Sequence, residues 1–339
     1  MGDSHRRPLK PTTATPALNG DANVSIDVDG LPCYRAIHGL AAVSSDAEAD
    51  PLWTIGIRRA AALLAEFGLK ATFFVIGRDL EHTPHREATI SLADADHEVA
   101  NHTYDHPYDL RHLPQVELVH QLEACNRIIT DVTGRRPVGF RTPGYNVSSD
   151  IIAFSRRTGH RYDASIFPCV SYWAAKEMVM QWRNVTGESS QSARTDPRAL
   201  MAHRQPYFPD PLDCWNPALG PTSFVEIPIA VFAARTMPII GTSLHLIDAL
   251  GWERLWPFID RSFDRFFNLE MHAIDFVDAT DIDDVPDGDE LVARQPDLRI
   301  PWSRKKSLYR RVFTSLARYR TVATLAEATA FLKAPPSTE

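Results

Sequence analysis

Four short stretches of this chain hold residues equipped for chemistry. In "SIDVDG", Asp27 and Asp29 stand at i and i+2. On a strand both side chains share a face, and neighbouring carboxylates repel unless a cation or a shared proton intervenes. In "NHTYDH", His102 and His106 lie four apart. On a helical turn that spacing puts two imidazoles on one side, where they suit one divalent metal. The Glu of an H-E-x-x-H metalloprotease is missing. With a carboxylate from a neighbouring strand end, the pair makes a His, His, Asp set with positions left open for water and substrate. In "FRTPGYN", Arg141 leaves an apolar strand, and the Pro143–Gly144 turn can aim the backbone N–H of Tyr145 into a site as an oxyanion donor. In "LEMHAIDF", His272 sits in a strand-like run and offers a general acid. Each stretch alone has an ordinary alternative: a solvated strand end, a chance pair among thirteen histidines, a surface Arg before a turn, a packed strand histidine.

The elements that must position these groups alternate. Val24 to Val28 reads as a first strand and Leu31 to Asp50 as a long connection. Pro51 to Phe67 has helical apolar spacing with Gly68 as its stop, and Ala71 to Ile76 is a buried strand. His85 to Ala95 reads as a helix, His97 to Ala100 as a strand, and Leu113 to Val132 as a helix ending at Gly134. Val138 to Phe140 is a strand, and Ser148 or Ser149 caps a helix running to Thr158. Residues 171–223, rich in Trp, Pro and polar residues, read as an insertion. The strand at Phe224 to Ile229 resumes the order. It is followed by a helix at Trp252 to Phe267, a strand at Leu269 to Ile274, a helix at Arg304 to Tyr319 and a last strand entering a helix. Repeated β/α units predict a barrel or a distorted, incomplete one. No internal repeat is present.

Composition bounds the function. The chain has 339 residues, 44% hydrophobic and 23% charged, and a net charge of -7, which argues against general affinity for nucleic acid or anionic lipid. No stretch is long and apolar enough to span a bilayer. Met1 to Gly20 is polar, without the apolar core of a secretory signal, and reads as a flexible N-terminal segment before a single domain over 21–335. A cytoplasmic location is the default expectation. Cys33, Cys125, Cys169 and Cys214 are scattered and read as reduced and mostly packed. The acidic stretch Asp275 to Glu290 lacks the spacing of a calcium loop and reads as a solvated loop, with Asp275 near the site mouth. The insertion's aromatics (Tyr172, Trp173, Trp182, Tyr207, Trp215) read mostly as packing.

In order and spacing these stretches resemble the polysaccharide deacetylase family, the NodB homology domain of carbohydrate esterase family 4. "SIDVDG" is similar to its first motif, usually T-F-D-D-G, with Val28 inserted between the acids as in a D-x-D branch. "HEVANHTYDHP" resembles the second, H-[ST]-x-x-H, preceded by "ATFFVIG", and "FRTPGY" matches the third, R-x-P-x-Y. "YDAS", Tyr162 to Ser165, resembles the fourth, "FVEIPI" with "GTSLHL" a later barrel segment, and "MHAIDF" the fifth. The resemblance covers roughly Asn23 to Leu332. It implies a distorted (β/α) barrel with fewer than eight units and hydrolysis of an N-linked acyl group, N-acetyl on an amino sugar first. It implies Asp29, His102 and His106 as metal ligands, with zinc the first expectation and cobalt, nickel, manganese or iron also suited. It implies Asp27 as general base held by Arg141 in a bidentate pair, Tyr145 N–H at the oxyanion, and His272 as acid on the leaving amine. Asp163, ahead of Asp275, is the expected partner of His272, and His245 is its rival. A deformylase or ureide amidohydrolase on the same fold, and an inactive carbohydrate-binding relative, stay open as alternatives, as does a homo-oligomer.

Overall fold

The architecture is described from a computed structural model of the chain over residues 15–41, 50–186, 196–232, 234–263 and 265–332, with the side chains of residues 179, 180 and 182–186 outside that set. Its strands are β1 Ala22–Val28, β2 Thr72–Val75, β3 Glu98–Asn101, β4 Gly139–Phe140, β5 Tyr162–Asp163, β6 Val225–Glu226, β7 Val231–Phe232, β8 Met237–Pro238 and β9 Phe267–His272. Its helices are α1 Leu31–Ile37, α2 Ile57–Ala65, α3 Thr83–Asp94, α4 Gln115–Thr133, α5 Ser149–Arg157, α6 Val170–Thr186, α7 Gly241–Arg261, α8 Gly288–Arg294, α9 Trp302–Tyr319 and α10 Leu325–Ala328. Seven strands form one parallel sheet in the order β6-β5-β4-β3-β2-β1-β9, and β7 with β8 forms a separate antiparallel ribbon.

Parallel strands covered on both faces must be buried on both, and every residue of β1 is. Val24, Ile26 and Val28 face outward into the core beneath the helices, together with Phe73, Val75, Leu269 and Met271. Burying each such aliphatic side chain contributes about 1.5–3 kcal/mol. The opposite face of β1 carries Asn23, Ser25 and Asp27. By register this inner face continues through Thr72 and Phe74 of β2 and through Asn268, Glu270 and His272 of β9. The sheet curls around these groups into a half-barrel. Its two edges meet without a ladder: Ala230 N donates to Asn268 O at 3.0 Å, and Asn268 Nδ2 donates to Ile227 O at 3.3 Å. Inside, the Tyr162 ring crosses β4 at Gly139, where a Cβ would stand 1.9 Å from Tyr162 Cζ. Tyr162 and α10, with Leu325 and Ala328 buried, close the floor. The polar groups are left at the C-terminal ends of the strands, the end at which such barrels carry their chemistry.

The fold is the distorted, incomplete (β/α) barrel that the motifs implied. Several boundaries differ from expectation. The connection after Gly30 contains α1, where Pro32 lies in the first turn, and residues 42–49 of it lie outside the described set. The stretch 171–223 opens as the helix α6 and then runs through a short 3-10 turn, Pro197–Met201, and coil. The helix expected from Trp252 begins at Gly241 and breaks at Gly251, whose φ is 115°. The expected terminal strand is one bridge, Ala22 to Val322. Caps were more legible: α4 ends at Gly134 in the left-handed region, and Ser148 Oγ accepts from Ile151 N at 3.3 Å to start α5. All four cysteines are free, and Cys125, Cys169 and Cys214 are buried. The N-terminal segment 1–20 falls mostly outside the described residues, as does the Trp182 side chain.

Candidate active site

Asp27 ends β1 and Asp29 follows it by two, so their side chains approach one point from one strand end. Opposite them, β3 runs into a loop that carries both histidines. This loop is not the helical turn that the four-residue spacing suggested. Thr103 and His106 have φ of 68° and 57°, in the left-handed region. Asn101 Oδ1 accepts from Thr103 N at 2.8 Å, and Thr103 Oγ1 accepts from His106 N at 3.1 Å. Positive φ at a β-branched residue is strained and persists only where its surroundings impose it. Here it folds the loop back so that the two imidazole centroids lie 4.9 Å apart.

The Nε2 atoms of His102 and His106 each stand 3.4 Å from Asp29 Oδ1. His102 Nδ1 donates to Arg141 O at 2.8 Å, which leaves Nε2 as its free lone pair. His106 Nδ1 lies 3.7 Å from Cys33 Sγ. Asp29 Oδ1 and His106 Nε2 are buried with no hydrogen-bond partner among the described residues. Orphaned buried polar atoms are costly, and these two, converging with His102 Nε2, fit a cation. Donors about 2.1 Å from one tetrahedral ion stand about 3.4 Å apart. Burial holds the His106 imidazole down to about 4 and therefore neutral, as a ligand must be. Burial opposes ionisation of Asp29, but His106 and His102 outweigh it and hold the carboxyl well below its usual range.

Asp27 turns the other way. Its Oδ1 accepts from Arg141 Nη1 at 2.5 Å. The pair is monodentate, not the bidentate fork expected, because Arg141 Nη2 donates to Ser25 Oγ at 2.9 Å and Nε to Ala164 O at 2.8 Å. Asp27 Oδ2 is left between His102 Nε2 at 3.9 Å and His272 Nε2 at 4.0 Å. His272 thus faces the other two histidines across a cleft of about 200 Å³.

The partner of His272 is Glu270, which the sequence reading missed. Its Oε1 stands 3.2 Å from His272 Nδ1 and accepts the Tyr145 hydroxyl at 2.8 Å. Burial alone would lower the His272 imidazole, but Glu270 and then Asp27 outweigh it and raise it to about 9. The signal was local: Glu270 and His272 are i and i+2 on β9, hence on one face. The same rule removes Asp163. Its neighbour Tyr162 fills the barrel, so Asp163 points outward, where its carboxylate accepts from Ser165 N and Oγ at 3.0 and 2.8 Å. Asp275 supports the site differently. Its Oδ2 accepts the His272 backbone N–H at 2.8 Å. His245 sits in α7 with Nε2 3.2 Å from Tyr309 Oη, and it does not line the cleft. Tyr145 has φ 63°, and its N–H donates back to Thr142 O at 3.3 Å, so that donor is engaged and the oxyanion role is not carried by this geometry.

Gly241 is needed because the Asp275 carboxylate rests on it: a Cβ there would meet Oδ2 at 2.0 Å. Gly241→Ala is therefore expected to destabilise the fold by about 1–3 kcal/mol, the usual cost of overpacking, by displacing the group that holds the His272 backbone. Thermal unfolding checks this. An unchanged melting temperature would show that the carboxylate moves aside freely.

The middle of the site has known relatives. Residues 50–162, which span β2, the histidine loop and the Arg141 turn, match the family model described as polysaccharide deacetylase. Over that segment the chain resembles the polysaccharide deacetylase family. The peptidoglycan deacetylase-like protein FGM2 of Gibberella zeae is 30% identical over 147 residues, 42% of this chain and 43% of that one. The peptidoglycan deacetylase of Helicobacter pylori is 30% identical over 112 residues, 33% of this chain and 37% of that one. The chain thus spans less than half the length of either relative. A crystal structure from Mycobacterium smegmatis, assigned to the polysaccharide deacetylases, superposes with a TM-score of 0.55 at 18% identity, covering 96% of this chain and 94% of that one. That likeness shows the fold. Asp27, Asp29, Glu270 and His272 lie outside the matched segment, so their place in the site rests on geometry. Among the described residues, no helix is long and apolar enough to cross a membrane.

Proposed function

We propose that this chain is a polysaccharide deacetylase family member and a divalent-metal-dependent hydrolase that removes an N-acyl group, N-acetyl first, from an amino sugar or a related amine. The observation that carries the reading is the convergence of Asp29, His102 and His106 on one side of a cleft, with Asp27 between them and His272. Asp29 Oδ1 and the two Nε2 atoms would hold the ion, zinc first, with cobalt, nickel, manganese or iron also suited to the N/O set. Bound there, a divalent metal polarises an acyl carbonyl and acidifies water.

The chain's own groups do the rest. Asp27 Oδ2 takes the proton of the attacking water. Arg141 holds Oδ1 and keeps the carboxylate charged and aimed. His272 Nε2 delivers a proton to the amide nitrogen, which cannot leave as an anion. Glu270 fixes the His272 ring through Nδ1 and keeps it protonated, and Tyr145 fixes Glu270. The cleft is smaller than the roughly 300–1,000 Å³ of drug-sized ligand pockets, so it suits one acylated head group. The same reading takes residues 21–335 as one catalytic domain.

Dialysis against a chelator is expected to remove about one equivalent of divalent metal and to abolish release of acetate or formate from a panel of acylated amines, with metal restoring it. Metal should also be lost on acidification. Burial lowers the His102 imidazole, but Asp27 and then Asp29 outweigh it and raise it, so protons compete for this ligand as pH falls. Full activity of metal-free protein would sink the reading. The acyl group released distinguishes deacetylase from deformylase.

A further inference from the structure

Asp163 points away from the cleft, yet it is tied to the turn that carries Arg141. Its register partner on β6 is Glu226, so the two side chains share the outer face of the sheet. Both residues are 0% exposed. Asp163 accepts the N–H and hydroxyl of Ser165, and Glu226 Oε1 accepts the Ile166 N–H at 3.0 Å. Glu226 Oε2 is buried and has no hydrogen-bond donor among the described residues. Phe140 is the partner of Asp163 on β4, so Arg141, one residue on, faces the barrel interior, where Asp27 and Ser25 hold it. On their own side the carboxyls meet the Tyr207 phenol and the Cys214 thiol, which burial keeps protonated, and Asp213 adds only negative charge. The cation felt by the pair is Arg141, through the sheet.

Two carboxylates side by side in a dry core, with no cation between them, cannot both ionise. We propose that Asp163 and Glu226 share one proton at neutral pH, and that the pair acts as positioning residues for Arg141 and, through it, for the Asp27 base. The proton lies between Glu226 Oε2 and the Asp163 carboxylate, which gives the orphaned oxygen its partner. Burial, and after it the neighbouring Asp163, push the Glu226 carboxyl well above its usual range. From the pair the grip passes along one short loop. Ser165 Oγ donates to Asp163 Oδ2 at 2.8 Å and accepts the Thr142 N–H at 2.8 Å. Ala164 O accepts Arg141 Nε at 2.8 Å. Residues 164–166, anchored at both carboxyls, thus hold Arg141 and the residue after it. The link to turnover rests on the N-acyl hydrolase reading; the shared proton does not.

The test is equilibrium unfolding of the full chain by denaturant across pH. Above about pH 5 both carboxyls of the unfolded chain are ionised, whereas the native pair keeps one proton. Stability is therefore lost as pH rises, because the native state binds the extra proton. Glu226→Gln keeps an oxygen for the Ile166 N–H and puts an amide N–H where the shared proton sat. The ratio of its folding constant to that of wild type should climb about 10-fold per pH unit between about pH 6 and about pH 8. A flat ratio, or a Glu226→Gln chain that does not fold at the upper pH, would overturn the proposal. The positioning role is read from turnover. Glu226→Ala, which loses the proton and the acceptor for Ile166, and Ser165→Ala, which cuts the link and keeps the pair, should each lower kcat for acyl release roughly 10- to 100-fold. KM and metal content should stay near wild type, and Glu226→Gln should keep a kcat near wild type. Undiminished kcat in Ser165→Ala, or a Glu226→Gln chain as slow as Glu226→Ala, would overturn that role. The expected pH dependence in a wild type that releases no acyl group would leave the shared proton standing and remove the hydrolase reading.

Discussion

Asp27→Asn is expected to lower the rate of acyl release by roughly 10²–10⁴-fold, the usual contribution of a positioned general base, while metal content stays near one equivalent. Asn keeps the shape of the side chain and an oxygen for Arg141 but cannot accept a proton at Oδ2. The position is specific, because Oδ2 is the atom left between His102 Nε2 and His272 Nε2, at 3.9 and 4.0 Å. A second effect accompanies the first. Asp27 and Arg141 are 3% and 0% exposed at the side chain, and breaking a buried pair by removing one charge costs about 3–5 kcal/mol. The variant should therefore unfold at lower temperature, and its activity must be read well below that point. Loss of the metal along with activity would mean that Asp27 belongs to the ligand set. Retention of activity would mean that another group takes the proton.

His272→Ala should cost about 10²–10⁴-fold on an amide and far less on an activated ester, whose leaving group departs without a proton. The pH profile gives an independent reading. His272 acts only while protonated, so the amide rate falls as pH rises through its pKa. Burial lowers that pKa, but Glu270 and Asp27 outweigh burial and raise it to about 9, so the alkaline limb should lie above the ordinary imidazole value of 6.5. Glu270→Gln removes the largest raising charge while keeping a hydrogen-bond acceptor, and the limb should move to lower pH. His245 is the control. It lies outside the cleft against Tyr309, and His245→Ala should lower both substrates' rates equally or neither. A selective amide defect in His245→Ala, with none in His272→Ala, would transfer the acid role.

The sequence by itself determined the parts of this protein that depend on short windows. Alternation of strand and helix signals fixed the fold class, since each element's apolar period is set by its own residues. Gly134 and Ser148 marked helix ends because the αL cap and the hydroxyl cap are properties of single residues. The i, i+2 rule put Asp27 and Asp29 together, and the motif spacing brought His102, His106 and Arg141 to one expected site. The same rule, applied to "LEMH", would have paired Glu270 with His272, and applied to "YD" it would have sent Asp163 to the opposite face from Tyr162. It failed there only because the inner face of each strand was not yet known.

Only the tertiary structure decided the rest. The histidine loop takes left-handed conformations at Thr103 and His106 that local preference disfavours, held by Asn101 and by the strand beneath. Glu270 meets Tyr145 across 125 positions, and Arg141 meets Ser25 across 116, because the order β4-β3-β2-β1-β9 curls those strand ends around one cleft. The Tyr145 N–H turned back into its own turn while its hydroxyl reached Glu270. Glu226 carried no signal in the sequence, since a lone acid in an apolar strand names no neighbour. Its place beside Asp163 became visible only once β5 and β6 were paired, because whether a buried carboxyl has a partner depends on residues far along the chain.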